Sequence, residues 1–555
     1  MPSPPARSPP NRVGPLRSRR GCRTCKTRKV KCGEEKPSCR RCIAGNYQCA
    51  YDYVTTGSYA SAPSTTSILD LPVSTSPNTV WRERRAFAYY FEHAAPYLSG
   101  GLDQDFWVTV VPQVCRTEPA VWDAINAIST LFEHPEICHD FIFLSLRDEK
   151  TRTLNSRQSE ALGWYSRSLS KIQAQIDQGS VDTQVALISS ILFMCIETLQ
   201  GRVEDALQLY NQGIKLILDL RAKTCTQNIL LEGTIIPLFI RLGTAALTFS
   251  GVPVSDLFRD LDIQGDYVFY SLQAARDALV QLAAEILILE RDSGTNPFLD
   301  VYPEPTATTL AKQNYLHRQL DLWHHAYMSY TTAAGNSLSK IDIGNNALLV
   351  AFHTTLTMVL STCLSRLQCV YDAHLANFQL VVKSSEIALE SSADSNGAQP
   401  AFTFELGVGL PLYYTALHCR EPVLRRKALA LLQKAPPMQG FHKCGPPIAL
   451  ASKIMQLEEG FSSAMYAAQL GKSVQTASPA DAIHDNVEWR EIPEEARIQH
   501  YAIFRPRDNP ALAGPHDVSV WARGPEQLFL RFTRNQRDVA DERIWHLTDE
   551  LVPMD

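Results

Sequence analysis

Six cysteines fall between residues 22 and 49 with the spacing Cys22-x2-Cys25-x6-Cys32-x6-Cys39-x2-Cys42-x6-Cys49, so the second three repeat the first three at an offset of 17. Such a cluster limits the stretch to a disulfide framework, a metal site or a redox site. A Cys-x2-Cys pair can aim two thiolates at one tetrahedral zinc ion, and a closed structural site takes four ligands. Three cysteines per half cannot close a site alone. Two ions would need eight ligand positions from six sulfurs, so two sulfurs would bridge, and the symmetry of the halves favours an equivalent pair. The opening "MPSPPARSPPNRVGPLRSRR" has no apolar core of the signal-peptide kind, and the most apolar long window, 228 to 252, carries Glu232 and Arg241 near its middle. Both features predict a soluble intracellular chain with no membrane partner. In a reducing compartment disulfides do not persist, which tilts the cluster toward metal.

Charge is distributed as unevenly as the cysteines. The first fifty residues hold 13 Lys or Arg against two Glu, whereas the rest hold 40 basic against 56 acidic residues. A basic head on an acidic body predicts that the head meets a polyanion. Within the cluster the asymmetry sharpens: "KTRKVK" separates Cys25 from Cys32, and the uncharged "IAGNYQ" separates Cys42 from Cys49. A structural metal site needs no lysines, and four cations on one short helix repel one another unless an anion faces them. Duplex DNA supplies that anion, with strong salt dependence. A helix starting near Arg23 would carry Lys26 and Lys29 on one face, flanked by Arg28 and Lys31.

The cysteine pattern resembles that of the fungal binuclear zinc cluster transcription factors and fits their motif at every cysteine; Lys36-Pro37 stands where that family places its inter-helix proline. The resemblance implies two structural zinc ions bridged by Cys22 and Cys39. One ion would take Cys22, Cys25, Cys32 and Cys39, the other Cys22, Cys39, Cys42 and Cys49. It implies base-reading positions at Arg28 and Lys29 and phosphate contacts at Lys26 and Lys31, with the helix in the major groove over a CGG-type triplet. The reading that follows is a nuclear regulator of RNA polymerase II transcription, with a regulator of a biosynthetic gene cluster as one form of it. The competing reading is a zinc-dependent protein or RNA interaction module on a helical scaffold. Arg17, Arg19 and Arg20 suit nuclear import or backbone contact.

The remaining chain divides by composition. Residues 1–20 read as a disordered basic tail, residues 21–52 as the zinc module, and residues 53–80 as a linker, since 12 of the 27 residues from 54 to 80 are Ser or Thr. That linker lacks the heptads through which many family members dimerise, which leaves a homodimer formed through the body and monomeric binding as the two alternatives. From Trp81 to residue 555 the pattern reads as all-helical, giving a mostly α fold. Phe87, Tyr90, Phe91 and Ala94 form one stripe; Val121, Ile125, Ile128 and Phe132 form another after the Glu118-Pro119 start. Further helices are expected near 157–178, 183–199, 203–221, 270–290, 345–370, 374–392, 422–434 and 447–470. An echo at an offset of 45 pairs Ala161, Tyr165 and Ile172 with Ala206, Tyr210 and Ile217, in the manner of two helical hairpins or of ordinary amphipathic helices.

Segments 84–133 and 186–217 resemble the helical regulatory domain that follows many such clusters, which implies contacts with the transcription machinery or coregulators. No G-x-S-x-G, P-loop, G-x-G-x-x-G or H-E-x-x-H is present, so no enzyme is expected. His134, Cys138 and His139 read as exposed loop residues, His324 and His325 as surface and core, and the eight other cysteines as core thiols. The last stretch interleaves acidic residues with Ile544, Trp545, Leu547 and Leu551, which fits an activation segment or a packed terminal helix.

Overall fold

In the computed structural model two units divide the chain, Met1–Pro72 and Val73–Asp555. The structure describes residues 22–34, 39–45, 47, 49, 81–135, 155–180, 182–223, 230–249, 253–258, 265–293, 304–335, 338–469, 491–512, 522–538, 540–541 and 544–554. The tail expected at 1–20, the linker at 53–80, Lys36-Pro37, Cys138 and His139 lie outside the described residues.

The first unit holds helices α1 (Arg23–Thr27) and α2 (Arg40–Ala44), which are offset along the chain as the two cysteine triplets are. Helices this short do not hold in water, so each depends on what its cysteines bind to.

The second unit is built from helices, as its periodicity predicts. α3 (Trp81–Tyr89) passes through a π-helical turn into α4 (Ala95–Leu98), and a second π-helical turn leads to α5 (Val111–Val114). The predicted stripe holds: Phe87, Tyr90 and Ala94 are buried and Phe91 is half-buried. α6 (Pro119–Glu133) starts with Pro119 in its first turn, where the missing N–H goes unneeded. α7 (Ser156–Asp177) opens on a reciprocal Asn155–Gln158 capping box. α8 (Thr183–Leu199) is buried on nearly every side, and α9 (Val203–Lys223) lies against it. α6 also pairs with α7 and touches α8. The sequence echo thus corresponds to α7 and α9, the outer members of two helix pairs, with its Ala, Tyr and Ile positions buried in both.

α10 (Ile236–Ala246), α11 (Leu272–Ser293), α12 (Ala307–Ala334), α13 (Lys340–Thr362) and α14 (Leu375–Ser392) follow. Trp323 and Tyr327 of α12 pack among Leu279, Leu282 and Ile286 of α11 and Leu356 and Leu360 of α13. α13 is long and apolar enough to cross a membrane, and 67% of its apolar window is buried inside the fold. It ends at Thr362, short of the expected 370, and residues 368–374 form a separate 3-10 turn. A small sheet of two-residue strands, β1 (Phe402–Thr403), β2 (Met438–Gln439) and β3 (His442–Lys443), is threaded between α15 (Gly409–His418), α16 (Pro422–Lys434) and α17 (Gly445–Gln469). Leu412, Leu432 and Ile454 join the core there.

Two groups of buried charges tie these layers. Arg241 of α10 and Arg276 of α11, both almost wholly buried, bind Asp103 and Glu405 from two connecting loops. Arg420 and Arg425 both bind Glu458 of α17, at 2.8 and 2.7 Å. Glu458 also accepts the Ile498 N–H at 2.9 Å, and its arginines, outweighing burial, hold its carboxyl down at about 2.

The end of the chain corrects the sequence expectation. Among the described residues, those from 498 onward form neither a terminal helix nor an extension of the helical body; they hold an antiparallel sheet of β4 (Ile498–Phe504), β5 (Phe529–Arg537) and β6 (Trp545–Pro553). The fold stays mostly α. The apolar face of β5 places Leu530 and Phe532 in the core beside α17. On and beside it stand Arg531 and Arg534, which pair diagonally across the strands with Asp549 and Glu550. Arginine at these central positions hides the alternation that would mark a strand.

Candidate metal centre and nucleic-acid interface

Sequence repetition becomes geometry in the first unit. The Cys22 N–H donates to Cys32 Sγ at 3.3 Å, and at the equivalent place in the second half the Cys39 N–H donates to Cys49 Sγ at 3.3 Å. The Val30 N–H closes the end of α1 on the Cys25 carbonyl at 3.1 Å; the Tyr47 N–H closes α2 on the Cys42 carbonyl at 2.9 Å. Each half therefore repeats one local solution: a short helix that starts after the first cysteine and carries the second, a reversal, and a third cysteine brought back beside the first.

These reversals bring the sulfurs together as two overlapping tetrads. Cys22, Cys25, Cys32 and Cys39 have all their Sγ atoms within 4.8 Å of one another, as do Cys22, Cys39, Cys42 and Cys49. Cys22 and Cys39 belong to both. Four sulfurs about 2.3 Å from a tetrahedral zinc stand about 3.8 Å apart. The measured Cys22–Cys39, Cys22–Cys42 and Cys25–Cys39 separations are 3.7, 3.7 and 3.6 Å, far longer than a disulfide bond, and all six cysteines are free thiols. Cys22, Cys25, Cys39 and Cys42 have no solvent exposure. Burial pushes the Cys22 thiol up and the Cys42 thiol to about 12. Burial opposes ionisation of Cys39 as well, yet the Cys42 N–H and the neighbouring thiols draw it down to about 6. Ionising several of these buried sulfurs together would need a cation among them. The donor set and its spacing fit a pair of zinc ions.

The basic residues occupy the rim of this cluster. Arg28, Lys29 and Lys31 are exposed, and Lys26 falls within α1. One sequence expectation is corrected here: Lys26 and Lys29 do not share a helix face, because α1 stops at Thr27. Lys29 takes a left-handed φ of 56°, and the Val30–Cys25 hydrogen bond around it completes a helix-ending Schellman turn. Glycine normally fills that position, and a lysine there costs on the order of 1–2 kcal/mol. Lys29 therefore stands in a turn and Lys31 in the irregular segment after it.

Sequence reasoning missed one feature of the rim. The guanidinium carbon of Arg28 lies 3.6 Å from the centroid of the Tyr47 ring, so the basic loop of the first half and the uncharged loop of the second meet through a cation–π stack. The only available signal was an aromatic in a loop that otherwise carries no obvious job.

Elsewhere, the expected structural roles divide. Cys115, Cys195, Cys419 and Cys444 are buried core thiols, whereas Cys369 is exposed. His324 and His325 are both exposed, and it is their neighbour Trp323 that turns inward. The cavity beside Arg241, Glu405 and Gln439 measures about 20 Å³, room for one water.

Comparison with known proteins agrees with the geometry. Residues 20–57 match the fungal Zn(2)-Cys(6) binuclear cluster domain, and residues 85–454 match the fungal specific transcription factor domain. The chain is 24% identical over 422 residues to the aspercryptin biosynthesis cluster-specific transcription regulator atnN of Emericella nidulans, a match covering 68% of this chain and 66% of that one. It is 27% identical over 127 residues to the Zn(2)-C6 fungal-type transcription factor afumD of Aspergillus fumigatus, covering 22% and 34% of the two chains. A third similarity, 43% identity over 51 residues to the transcription factor lfc1 of Flammulina velutipes, covers 9% and 18%. In each case the match spans less than two thirds of the relative's length. No solved structure matches the chain. With a family match over more than half its length, behind a cysteine group able to bind metal, the chain belongs to the fungal Zn(2)-Cys(6) transcription factors.

Proposed function

We propose that this chain is a nuclear, sequence-specific regulator of RNA polymerase II genes that reads a CGG-type triplet through the end of α1 and the turn after it. The observation that carries this reading is the pairing of two sulfur tetrads sharing Cys22 and Cys39 with a one-sided charge: exposed Arg28, Lys29 and Lys31 lie between Cys25 and Cys32, where the equivalent stretch from Cys42 to Cys49 carries no cation. Two zinc ions held by Cys22, Cys25, Cys32, Cys39, Cys42 and Cys49 would supply folding free energy to a unit whose helices are too short to stand alone. Arg28 and Lys29 then face base edges, and Lys26 and Lys31 face phosphates. The helical body serves contact with coregulators or a second copy. The name of the Emericella nidulans relative supports a regulator dedicated to one biosynthetic gene cluster.

Selection from a pool of random duplexes tests the division of roles. Lys29→Ala should relax the preference for a G-rich triplet, at about 1–3 kcal/mol per lost base contact. Lys31→Ala should leave the preference intact and lower the slope of log affinity against log salt by about one. Identical behaviour of the two variants would refute the assignment. Absence of any enriched triplet in the unmodified protein would favour a protein- or RNA-docking module.

A further inference from the structure

The two halves of the cysteine cluster use one equivalent position in different ways. Val30 closes the end of α1 and packs partly buried against the sulfurs. Its counterpart in the second half, Tyr47, closes α2 through the same kind of hydrogen bond, yet 49% of it is exposed. Its ring touches two groups. The Arg28 guanidinium carbon lies 3.6 Å from the ring centroid. At Gly45 any Cβ would come within 2.7 Å of ring carbons Cδ2 and Cε2. Gly45 leaves the space that the ring occupies, and the hydrogen bond from Tyr47 N–H to Cys42 O fixes the backbone that carries it.

We propose that Tyr47 is a positioning residue for DNA readout, holding Arg28 in the orientation that meets a guanine edge. The proposal rests on the reading of Arg28 as a base contact. A guanidinium has a face and an edge, and the two can be used at once. Stacking on an aromatic ring takes the face, while the two in-plane N–H groups that match guanine O6 and N7 remain at the edge. A free arginine loses several rotatable bonds on reaching a base; a stacked one arrives with much of that ordering done. The uncharged loop of the second half thus contributes to sequence recognition by ordering the charge of the first. Lysine at position 28 would gain less from the same ring, because an ammonium has no planar fork to orient.

The test uses full-length protein, with affinity measured for the selected duplex and for a scrambled duplex at fixed salt, and zinc content measured in parallel. Tyr47→Leu should lower the ratio of selected to scrambled affinity by about two- to fivefold, the size of an exposed cation–π contact. Zinc content and affinity for the scrambled duplex should stay unchanged, and Tyr47→Phe should retain the full ratio. Arg28→Ala should lower the ratio further, and adding Tyr47→Leu to it should cost nothing more. Where the leucine variant sheds zinc, Tyr47→Met serves instead, since it fills the space over Gly45 without a π face. An unchanged ratio in the leucine or methionine variant, with a fall in Arg28→Ala, overturns the role of Tyr47 and leaves Arg28 as a reader. An unchanged ratio in Arg28→Ala overturns both. An additional loss on the Arg28→Ala background also overturns the proposal, because Tyr47 would then act other than through Arg28.

Discussion

Between Cys22 and Cys49 the interior is made of sulfur, with Val30 the one non-cysteine side chain described against it. In the helical unit the interior is hydrocarbon, crossed by arginine–carboxylate groups such as Arg420, Arg425 and Glu458. A few dozen residues cannot bury enough apolar surface to offset their conformational entropy, so the first unit depends on bonds to metal. Several hundred residues can, and there the buried charges must be matched among themselves. The two units should therefore fail under different treatments.

Metal removal is the largest expected separation. A strong chelator should abolish duplex binding, because apparent zinc binding free energies of about 10–16 kcal/mol are folding free energy for such modules. The far-UV helical signal and the thermal transition of the body should hardly move. Loss of both together would mean that the body also depends on the metal.

Glu458→Gln should act the other way round. It leaves Arg420 and Arg425 buried beside a neutral amide, at a penalty of about 3–5 kcal/mol for breaking a buried ion group. The urea midpoint of the helical transition should fall while zinc content and duplex affinity of the folded protein hold. An unchanged midpoint would show that water or a relaxed backbone replaces the carboxylate.

Acidification should produce a smaller and graded loss in the body. Burial holds His353, His442 and His500 at about 4, with the neighbouring His324 adding to the effect on His353. Their folded-state values lie below the usual 6.5, so the unfolded chain binds more protons between pH 6.5 and 4. Stability is then full above pH 6.5 and declines toward pH 4. Urea midpoints at pH 7 and pH 5 measure this, and equal midpoints would place these rings in contact with water.

The same contrast explains what was legible in the sequence. Cysteine spacing is a local code read along the chain, and its offset reappears in the helices, the N–H···S bonds and the helix-ending turns. Amphipathic stripes such as Val121, Ile125, Ile128 and Phe132 were equally open to reading, since helical periodicity needs no partner to be recognised. Lys29 was not, because a left-handed lysine carries no signal where glycine is the usual marker. Tyr47 and Arg28 meet across the two metal-binding halves, from loops on either side of Cys39, a contact that no short window along the chain contains. The sheet of β4, β5 and β6 escaped because its central strand keeps charged residues in its interior and finds their partners on a neighbouring strand.

That last arrangement bears on how the acidic end of the chain could be used. Asp549 and Glu550 resemble the free charges of an activation segment when read in sequence, but in the fold each faces an arginine of β5 while the backbone of β6 is paired from Trp545 to Pro553. A basic or apolar partner arriving at this segment would have to compete with Arg531 and Arg534 for the carboxylates and with the full ladder of β6 for the backbone. Recruitment through this segment would thus be gated by the unzipping of one edge strand.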